Sequence, residues 1–323
     1  MKAIRIHKYG GPDVLVYEEV DTPRPGPSQI LLRLRAIGVN PVDAAVRSNR
    51  FPTPLEPPRI IGSDGAGIVT AVGSDVTAVA VGDEVMFTGL GIGSQGSYAD
   101  YAVIATAQAV IKPPSLSFEE AAAMSLVFPT AHYALVHRAH VQSGETVLVQ
   151  GGAGGVGSAA VQIARALGAR VLATVSTEED VHSVEELGAE HALVRTVVDV
   201  GAEVKRLTEG HGADVIVEPS ASDNIAVDMV ALAKGGRIVV VGMGATGQLT
   251  VLAAAGGLDA GLLFMSSSNA GRAGTAQILA ELAGMAAAGT MRAVIGTVLP
   301  LAEARRAHEL LEQHHFGKIV LVP

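Results

Sequence analysis

The sequence predicts a two-domain α/β protein in which a β-rich first part is followed by a doubly wound parallel sheet. The chain has 323 residues, a length that suits two domains. In the first third, apolar and polar residues alternate with a period of two, which is typical of half-buried strands. From about Ala121, short apolar runs alternate with helical stretches, as they do in repeated strand–helix–strand units.

The first part is predicted to contain short strands separated by Gly, Pro and Asp turns. In residues 29–39, apolar side chains alternate with Arg33 and Arg35, which indicates a strand with one buried face. Similar runs occur at Ala3–Ile6, Val14–Val20, Ile68–Val72, Glu84–Phe87 and Tyr98–Val103. Together they favour a small irregular barrel or sandwich.

The second part is predicted to contain six strands joined by helices. The strands are Thr146–Gln150, Arg170–Val175, Ala192–Arg195, Asp214–Glu218, Arg237–Val241 and Leu262–Met265. The helices between them are Val156–Leu167, Glu179–Leu187, Val200–Thr208 and Asn224–Ala233. Because strand and helix alternate, right-handed crossovers and a parallel sheet follow. Two helices, Gly274–Ala288 and Leu301–Gln313, and a strand at Ile319–Val322 complete the chain.

The composition excludes several classes of function. A net charge of −9 repels a phosphate backbone, so neither nucleic acid nor an anionic membrane is an expected partner. No Cys is present, which excludes disulfides, thiolate zinc sites and cysteine nucleophiles. The lack of Cys and of an apolar targeting segment at the N-terminus predicts a cytoplasmic location.

Three segments match the pattern G-x-G-x-x-G, and their context separates them. Residues 91–96 lead into a strand pattern, so they are predicted to form a loop. Residues Gly152–Gly157 follow the buried strand TVLVQ and open a helix that leads to the next strand, which is the full context of a dinucleotide site. Residues 242–247 follow the fifth strand and are expected to border the same crevice.

The glycines of the second segment have separate predicted roles. Gly152 permits the tight turn, and Gly154 or Gly155 lets backbone N–H groups approach a pyrophosphate. Gly157 allows the helix to pack closely, and the helix N-terminus favours the anion. The predicted cofactor contacts here are Gly152, Ala153, Gly154, Gly155, Val156 and Gly157.

The residues after the second strand predict a preference for NADP(H). An acidic residue at this place would bind the ribose 2′-OH of NAD, but the strand ends in Ser176 and Thr177. Hydroxyls do not repel a 2′-phosphate, and Arg195 at the end of the third strand is a candidate cation for it. A solvated surface role for Arg195 stays open.

Four segments carry a resemblance to a known family. GGAGGVGSAAVQIARALGARVLATVST, GSDGAGIVTAVGSDVTAVAVGDEV, AIGVNPVDAAVRS and GKIVLVP together resemble the medium-chain dehydrogenase/reductase superfamily, in its zinc-independent, zeta-crystallin-like quinone oxidoreductase branch. The resemblance implies a GroES-like catalytic domain at residues 1–122, a Rossmann NADP(H)-binding domain at 123–266 and a C-terminal segment, 267–323, that returns to the first domain. It also implies NADPH in the cleft between the domains and a homodimer.

The resemblance further implies individual site residues. Asn40 and Asp43 match the N-x-x-D motif, with the asparagine beside the nicotinamide and both residues as the catalytic candidates. The alternative for Asp43 is helix capping or a salt bridge with Arg47. Thr130 matches a threonine near the carboxamide, unless it only starts a helix. The remaining implied cofactor contacts are Val241, Gly242, Met243, Phe264, Ser266 and Lys318, the last as a phosphate or substrate contact.

No metal is expected. Zinc-dependent relatives need Cys and His in the first domain, whereas here Asn40 stands near the Cys position and Ser63-Asp64 replaces a His-Glu pair. The cluster His132, His137 and His140 is interpreted as packing or surface. Two departures from the family weaken its other implications. Acidic residues stand at 178–180 where relatives carry a Lys, and Ala45 and Phe51 replace pocket tyrosines, so no proton donor is evident.

The resemblance implies NADPH-dependent reduction of quinones, or of related electron-poor conjugated carbonyls, by direct hydride transfer. Hydride transfer is the cofactor's chemistry, and the protein orients the reactants and excludes water. Two alternatives stay open: an enoyl reductase acting on α,β-unsaturated ketones or thioesters, and a non-catalytic NADPH-binding protein. A thioester of coenzyme A favours a basic entrance, and the sequence leaves open whether Arg47, Arg50 and Arg59 form one.

Overall fold

The computed structural model describes residues 1–51, 53–251, 256–313 and 315–323. The chain divides into two units, each with its own core. Unit 1 comprises Met1–Pro129 and Ala270–Pro323, and unit 2 comprises Thr130–Asn269. The boundary between the two units therefore falls later in the chain than residue 122, because the helix that begins at Phe118 packs on the sheet of unit 1.

Unit 1 is built on two sheets. Its strands in chain order are β1 (Lys2–Ile6), β2 (Leu15–Glu19), β3 (Gln29–Gly38), β4 (Arg59–Ile60), β5 (Asp64–Val72), β6 (Glu84–Thr88), β7 (Tyr101–Ala105) and β8 (Val110–Ile111). The small sheet has the order β2-β1-β4. In the large sheet, β3 pairs antiparallel with both β5 and β7, and β6 links β5 to β8. Most of the predicted strands are present. The two-residue strands β4 and β8 were not predicted, because they are too short to show an alternation of apolar and polar residues.

Among the described residues up to 132, the structure has three α-helices, and none has the long periodic pattern by which helices are predicted. They are α1 (Pro41–Arg47), α2 (Phe118–Ser125) and α3 (Val127–His132). Helix α2 begins with a capping box, in which Ser117 Oγ accepts the Glu120 N–H and the Glu120 carboxylate accepts the Ser117 N–H. Its alanine-rich face is buried against β3 and β5.

Unit 2 is a six-stranded parallel sheet. Its strands are β9 (Thr146–Val149), β10 (Arg170–Val175), β11 (His191–Val194), β12 (Ala213–Glu218), β13 (Leu232–Val240) and β14 (Gly261–Phe264). The connecting helices are α4 (Gly155–Ala166), α5 (Glu179–Leu187), α6 (Val200–Leu207) and α7 (Ala221–Ala231). The order β11-β10-β9-β12-β13-β14 is that of a doubly wound dinucleotide-binding sheet, which confirms the predicted fold class.

One predicted boundary in unit 2 is wrong. The sequence pattern predicts helix α7 from Asn224 to Ala233, but the helix begins at Ala221 and ends at Ala231. The chain is already in β13 at Leu232, whose pairing with Ala213 precedes a shift of register. Gly235, with a φ of 77°, lies at this irregularity, which the apolar pattern does not reveal.

The C-terminal segment returns to unit 1. Helices α8 (Gly271–Ala287) and α9 (Ala304–Leu311) lie close to their predicted ranges, and strands β15 (Ile295–Pro300) and β16 (Lys318–Val322) complete the chain. Strand β16 pairs antiparallel with β3 and parallel with β15, so the large sheet has residues from both ends of the chain. The pairing lies at Ile37 and Gly38, directly before α1. No helix among the described residues is long and apolar enough to cross a membrane.

Candidate functional sites

Unit 2 brings most of the predicted cofactor residues to one edge. Because its strands are parallel, their carboxyl ends meet at the same edge of the sheet, which is where ligands bind in this architecture. The predicted residues that follow these ends are Gly152–Gly157, Ser176, Thr177, Arg195, Val241, Gly242, Met243, Phe264 and Ser266. The edge thus collects five short segments that are separate in sequence.

The glycine-rich segment forms a turn from β9 into α4. The left-handed residue is Gly151, with a φ of 67°, and not Gly152 as the sequence predicts. Gly152 instead donates its N–H to Thr174 O at 2.8 Å, which ties the loop to β10. A Cβ at Gly157 would lie 2.0 Å from Gly151 O, so only glycine permits this approach of α4 to the loop.

The space beside Gly154 suits an anion. Gly154 is the N-cap of α4, and a Cβ on it would meet only Gly151 O, at 3.4 Å. The first N–H groups of a helix have no partner within the helix, and they carry the positive end of its dipole. The loop therefore offers backbone donors and open space together, which fits the pyrophosphate of a dinucleotide.

The end of β10 lies beside the end of β11. Arg195 donates its N–H to Val175 O at 3.1 Å, so its backbone lies beside the end of β10, next to Ser176. Among the residues described, no acidic side chain pairs with the exposed Arg195 guanidinium. The Thr177 hydroxyl donates to Asp180 Oδ2 at 2.9 Å and thereby holds the start of α5. An exposed arginine and a half-buried serine thus come from the adjacent ends of β11 and β10, and the nearby Glu178 and Glu179 are exposed.

Two further segments complete this edge. Ala221 donates its N–H to Gly242 O, and Ser222 donates to Met243 O, so the segment after β13 is held against the start of α7. After β14, the Ser266 hydroxyl lies 2.7 Å from that of Ser268. Thr130 donates to Ser267 Oγ at 3.3 Å, which joins the predicted threonine to this same segment.

Unit 1 contains a buried polar cluster around Asn40. The Asn40 side-chain amide donates to Asp64 Oδ1 at 3.0 Å and to Asp43 Oδ2 at 3.3 Å. Its backbone N–H donates to Asp43 Oδ2 at 2.9 Å, so Asp43 does cap α1, as the alternative interpretation holds. The Ser63 hydroxyl donates to Asp43 Oδ1 at 2.6 Å. These four side chains are at most 4% exposed.

Two carboxyl groups lie in this cluster, and both have raised pKa values. Burial and the neighbouring charge of Asp64 raise the pKa of Asp43 to about 7, although the hydrogen bond from Ser63 opposes the rise. Burial likewise raises the pKa of Asp64, which the Lys318 ammonium and the Asn40 amide lower. Asp43 can therefore gain or lose a proton near neutral pH.

Lys318 lies inside the cluster. It is 4% exposed, and its Nζ donates to Val39 O at 2.6 Å and to Asn40 Oδ1. Its pKa is lowered by burial, which the charges of Asp64 and Asp43 oppose. The contact with a phosphate or substrate that the sequence predicts for Lys318 does not match this geometry, in which the ammonium fixes the Asn40 amide.

A chain of side chains leads away from Asp43. The Tyr98 hydroxyl donates to Asp43 Oδ2 at 3.3 Å and lies 3.0 Å from His308 Nε2. Arg47 reaches His308 Nδ1 at 3.0 Å and Glu312 Oε1 at 2.8 Å. The expected salt bridge between Arg47 and Asp43 is therefore wrong, because the guanidinium is directed to α9.

Sequence reasoning did not single out Tyr98 or His308 as site residues. Tyr98 falls within an apolar strand pattern and His308 within an amphipathic helix pattern, and only the pairing of β16 with β3 brings α9 towards α1. The predicted residues form two groups, the sheet edge in unit 2 and the Asn40 cluster in unit 1.

The arginines that were considered for a basic entrance are mostly buried. Arg47 is 2% exposed and Arg59 is 0% exposed, whereas Arg50 is exposed. Arg59 donates to Thr53 Oγ1, Leu55 O and Gly91 O, so it joins two loops of unit 1. These three residues form no basic entrance.

The histidines near residue 132 pack on one another. The His132 and His137 ring centroids are 5.5 Å apart, and Tyr133 stacks on His137 at 5.2 Å. In the part of the chain that the structure describes, no group of three or more His, Asp or Glu residues is arranged to hold a metal ion.

Family models match both units. Residues 26–115 match the alcohol dehydrogenase GroES-like domain, and residues 155–281 match the zinc-binding dehydrogenase family. The pig quinone oxidoreductase is 37% identical over 329 residues, covering 100% of this chain and 98% of the relative. The chain belongs to the quinone oxidoreductase branch of the medium-chain dehydrogenase/reductase superfamily.

Solved members of the superfamily superpose on the whole chain. An Escherichia coli quinone oxidoreductase complexed with NADPH is 30% identical, with a TM-score of 0.91 and full coverage of both chains. An NAD-dependent alcohol dehydrogenase is 34% identical, with a TM-score of 0.92, also over both full chains. The quinone oxidoreductase branch and the GroES-like and Rossmann-type units that the sequence predicts are thereby confirmed.

Proposed function

We propose that this protein is an enzyme that reduces quinones, or related electron-poor conjugated carbonyls, with NADPH. The observation that carries the proposal is the edge of unit 2, where an open glycine turn at the start of α4 and the Arg195 guanidinium suit a pyrophosphate and a 2′-phosphate. A bound NADPH supplies a hydride, and a quinone accepts it without activation by a metal.

The residues of unit 2 act by binding and orientation. We assign the pyrophosphate to the backbone of Gly152–Gly157 and the 2′-phosphate to Ser176 and Arg195. The backbone at Val241–Met243 and the residues Phe264, Ser266 and Thr130 are assigned to the nicotinamide half of the cofactor. Thr177 contributes through its backbone, because its hydroxyl is bonded to Asp180.

We assign the Asn40 cluster to positioning and to proton transfer. Lys318 fixes one end of the Asn40 amide, and Asp64 and Asp43 fix the other. Asp43 titrates near pH 7 and is connected through Tyr98 to His308, so the cluster can hold a proton at Asp43 Oδ2 or pass one along this chain. This is the proton source that residue types alone leave unassigned.

The enoyl reductase alternative has less support. A substrate carried on coenzyme A needs cations for its phosphates, and Arg47 and Arg59 are buried and bonded within unit 1. Quinones make no such demand.

The test is the initial rate of NADPH oxidation, and separately of NADH oxidation, with a benzoquinone, a naphthoquinone, an enone and crotonyl-CoA, each with a chelator. Quinone turnover with NADPH that survives the chelator is the expected result. Turnover with the enone or thioester alone would favour the enoyl reductase. Binding of NADPH with no turnover would favour a binding protein.

We further propose a cytoplasmic homodimer. Strand β14 is an edge strand of the sheet, and Phe264 on it is 54% exposed. Beside it, Met229, Val251 and Leu262 line an apolar depression of about 280 Å³. Among the described residues no strand pairs with the outer side of β14, and such an edge with apolar side chains is suited to pair with a second copy of the chain. Light scattering at micromolar concentration should give twice the 32.9 kDa of the chain, and a monomeric mass would contradict the proposal.

A further inference from the structure

Two carboxyl groups are buried beneath the carboxyl edge of unit 2, and neither is part of the predicted cofactor site. Glu218 is the last residue of β12, Asp228 lies on α7, and both are 0% exposed. The two side chains lie close enough for each to affect the pKa of the other. Two carboxyl groups can hydrogen-bond to each other only when one of them is protonated, so this pair can share one proton and then carries a single negative charge.

The remaining contacts show which carboxyl oxygens have no other donor. Asp228 Oδ1 accepts from Gln150 Nε2 at 2.7 Å, and Glu218 Oε1 accepts from Ser220 N and from Asn224 Nδ2. The other two oxygens, Asp228 Oδ2 and Glu218 Oε2, are buried and meet no N–H or hydroxyl donor among the described residues. These two oxygens are therefore the ones that a shared proton would join.

One side of the pair is connected to the glycine turn by a chain of hydrogen bonds. The Gly151 N–H donates to Thr174 Oγ1 at 3.0 Å, and the Thr174 hydroxyl donates to Gln150 Oε1 at 2.7 Å. Gln150 then donates to Asp228. Gln150 and Thr174 are at most 4% exposed, so this chain of hydrogen bonds is buried.

The other side of the pair is connected to the segment after β13. The backbone oxygen of Glu218 accepts the N–H of Val241 at 2.8 Å, and its carboxylate accepts the N–H of Ser220. Ser220 forms a β-bridge with Met243. The pair thus lies between the two loops, 151–157 and 241–243, to which the proposed function assigns the cofactor.

We propose that Glu218 and Asp228 form a proton-dependent clasp that positions the glycine turn and the segment after β13 for NADPH. With the shared proton, the two groups attract each other and the loops keep their spacing. Without it, two carboxylates repel each other in a medium of low dielectric. The two side chains then move apart. Loss of the proton also leaves a second negative charge below an anionic cofactor.

The electrostatic surroundings favour the protonated pair. Burial and the charge of Glu218 raise the pKa of Asp228 to about 8, and burial, with a smaller contribution from Asp223, raises that of Glu218. The charged groups on the elements packed against the pair have other partners: Glu203 with Arg206, Lys205 with His211 O, Asp214 with His211, Lys234 with Asp259 and Arg237 with Glu145. No cation among the described residues neutralises the pair.

The decisive variant is Asp228→Asn. Its amide oxygen can accept from Gln150 while its NH₂ donates to Glu218 Oε2, so it reproduces the protonated state at every pH. Glu218→Gln reproduces that state from the other side, and it serves if the first variant does not fold. Asp199→Asn is the matched control, because it makes the same exchange at the exposed N-cap of α6 and an asparagine still caps.

The inference rests on the proposed function for its ligand, so the first measurement is the Kd of NADPH, by fluorescence, between pH 6.5 and 9.5. Wild type and Asp199→Asn should lose about tenfold in affinity between pH 7 and pH 9, and Asp228→Asn and Glu218→Gln less than twofold. An equal loss in wild type and Asp228→Asn, or no loss in wild type, would overturn the clasp.

A second measurement separates this inference from the proposed function. Amide hydrogen exchange of residues 150–157 in the free protein, corrected for the intrinsic effect of pH, should accelerate in wild type above pH 8 and stay constant in Asp228→Asn. If NADPH fails to bind at any pH, the proposed function is wrong and this exchange still decides the clasp. Exchange that accelerates equally in both proteins would overturn it.

Discussion

Tyr98 Oη and His308 Nε2 lie 3.0 Å apart, although 210 residues separate them in the chain. The tautomer of His308 follows from its other neighbour, because Arg47 can only donate, and it does so to Nδ1. Nε2 therefore carries the hydrogen and donates it to Tyr98, which in turn donates to Asp43. A buried histidine of α9 is thus kept neutral and oriented by α1, and it orients the tyrosine that contacts Asp43.

Replacing Tyr98 by Phe should destabilise the protein without disturbing its packing. The ring of Tyr98 meets that of His308 edge to face, and a phenylalanine retains this contact. The lost hydroxyl leaves the His308 N–H without an acceptor in a buried place, which costs about 1–3 kcal/mol of unfolding free energy. Urea unfolding at pH 7 measures the loss. The control Tyr17→Phe, at an exposed site, should have the unfolding free energy of wild type. If Tyr98→Phe lost no more unfolding free energy than this control, the proposed network would be contradicted.

Replacing His308 by Gln should remove a dependence of stability on pH. Burial and the charge of Arg47 lower the pKa of His308 to about 3, whereas an unfolded histidine has a pKa near 6.5. Between these values the unfolded chain binds the extra proton, so wild-type stability falls as pH falls from 6.5 towards 3. Glutamine can accept from Arg47 and donate to Tyr98 without titrating.

The measurement is the unfolding free energy of both proteins at pH 6.5 and 4.5. The difference between wild type and His308→Gln should change by about 2–3 kcal/mol over these two pH units. Asp43 has a raised pKa and therefore the opposite slope, but it is present in both proteins and cancels in the difference. A constant difference would show that His308 titrates normally.

Replacing Lys318 by Met should strongly destabilise the protein, although no charge is lost from the surface. The ammonium donates to Val39 O and Asn40 Oδ1 and lies beside two buried carboxyl groups, so its removal leaves buried polar atoms unpaired. Loss of one partner from such a cluster costs about 3–5 kcal/mol. Lys234→Met, at a site 75% exposed, is the matched control.

A second readout separates the positioning of Asn40 from stability alone. Since Lys318 lowers the pKa of Asp43, its removal should move the titration of Asp43 to higher pH, and the pH profile of quinone turnover with it. A profile that keeps the wild-type midpoint in Lys318→Met would contradict the assignment of proton transfer to Asp43.

Replacing Arg195 by Ala should reduce the preference for NADPH over NADH. The backbone of Arg195 lies beside the end of β10, next to Ser176, and a 2′-phosphate that loses a paired cation binds about tenfold more weakly. The KM for NADPH should rise and that for NADH should stay, because NADH lacks this phosphate. Arg272→Ala, at an exposed position of α8, is the control. Equal effects on both cofactors would assign Arg195 to the surface.

The sequence predicts the local features of this fold much better than its buried polar groups. The parallel sheet and the glycine turn follow from period, length and residue type, which act over a few neighbours. Gln150 follows β9, Thr174 is the last residue but one of β10 and Glu218 ends β12. A polar residue at such a place in an apolar strand is a signal that would have pointed to the sheet edge. Lys318 has no comparable signal, because only the pairing of β16 with β3 brings it to Asn40.

Two glycines of the turn allow a final prediction, because one has a structural role and the other a binding role. A Cβ at Gly157 would lie 2.0 Å from a backbone oxygen, so Gly157→Ala must displace α4 or the loop and should destabilise unit 2. Gly154 has an ordinary φ of −79°, and a Cβ there meets only Gly151 O at 3.4 Å. Gly154→Ala should therefore fold with nearly wild-type stability.

The same methyl group at Gly154 occupies the space in which a pyrophosphate would approach the start of α4. NADPH affinity should fall at least tenfold in Gly154→Ala, while its thermal melting in the absence of cofactor stays within a few degrees of wild type. Gly284→Ala, a site with no atom near an added Cβ, controls for the exchange itself. Unchanged NADPH affinity in Gly154→Ala would mean that the anion binds elsewhere on this edge, because a dinucleotide held by the α4 N-terminus cannot tolerate a side chain between its phosphates and the backbone N–H groups.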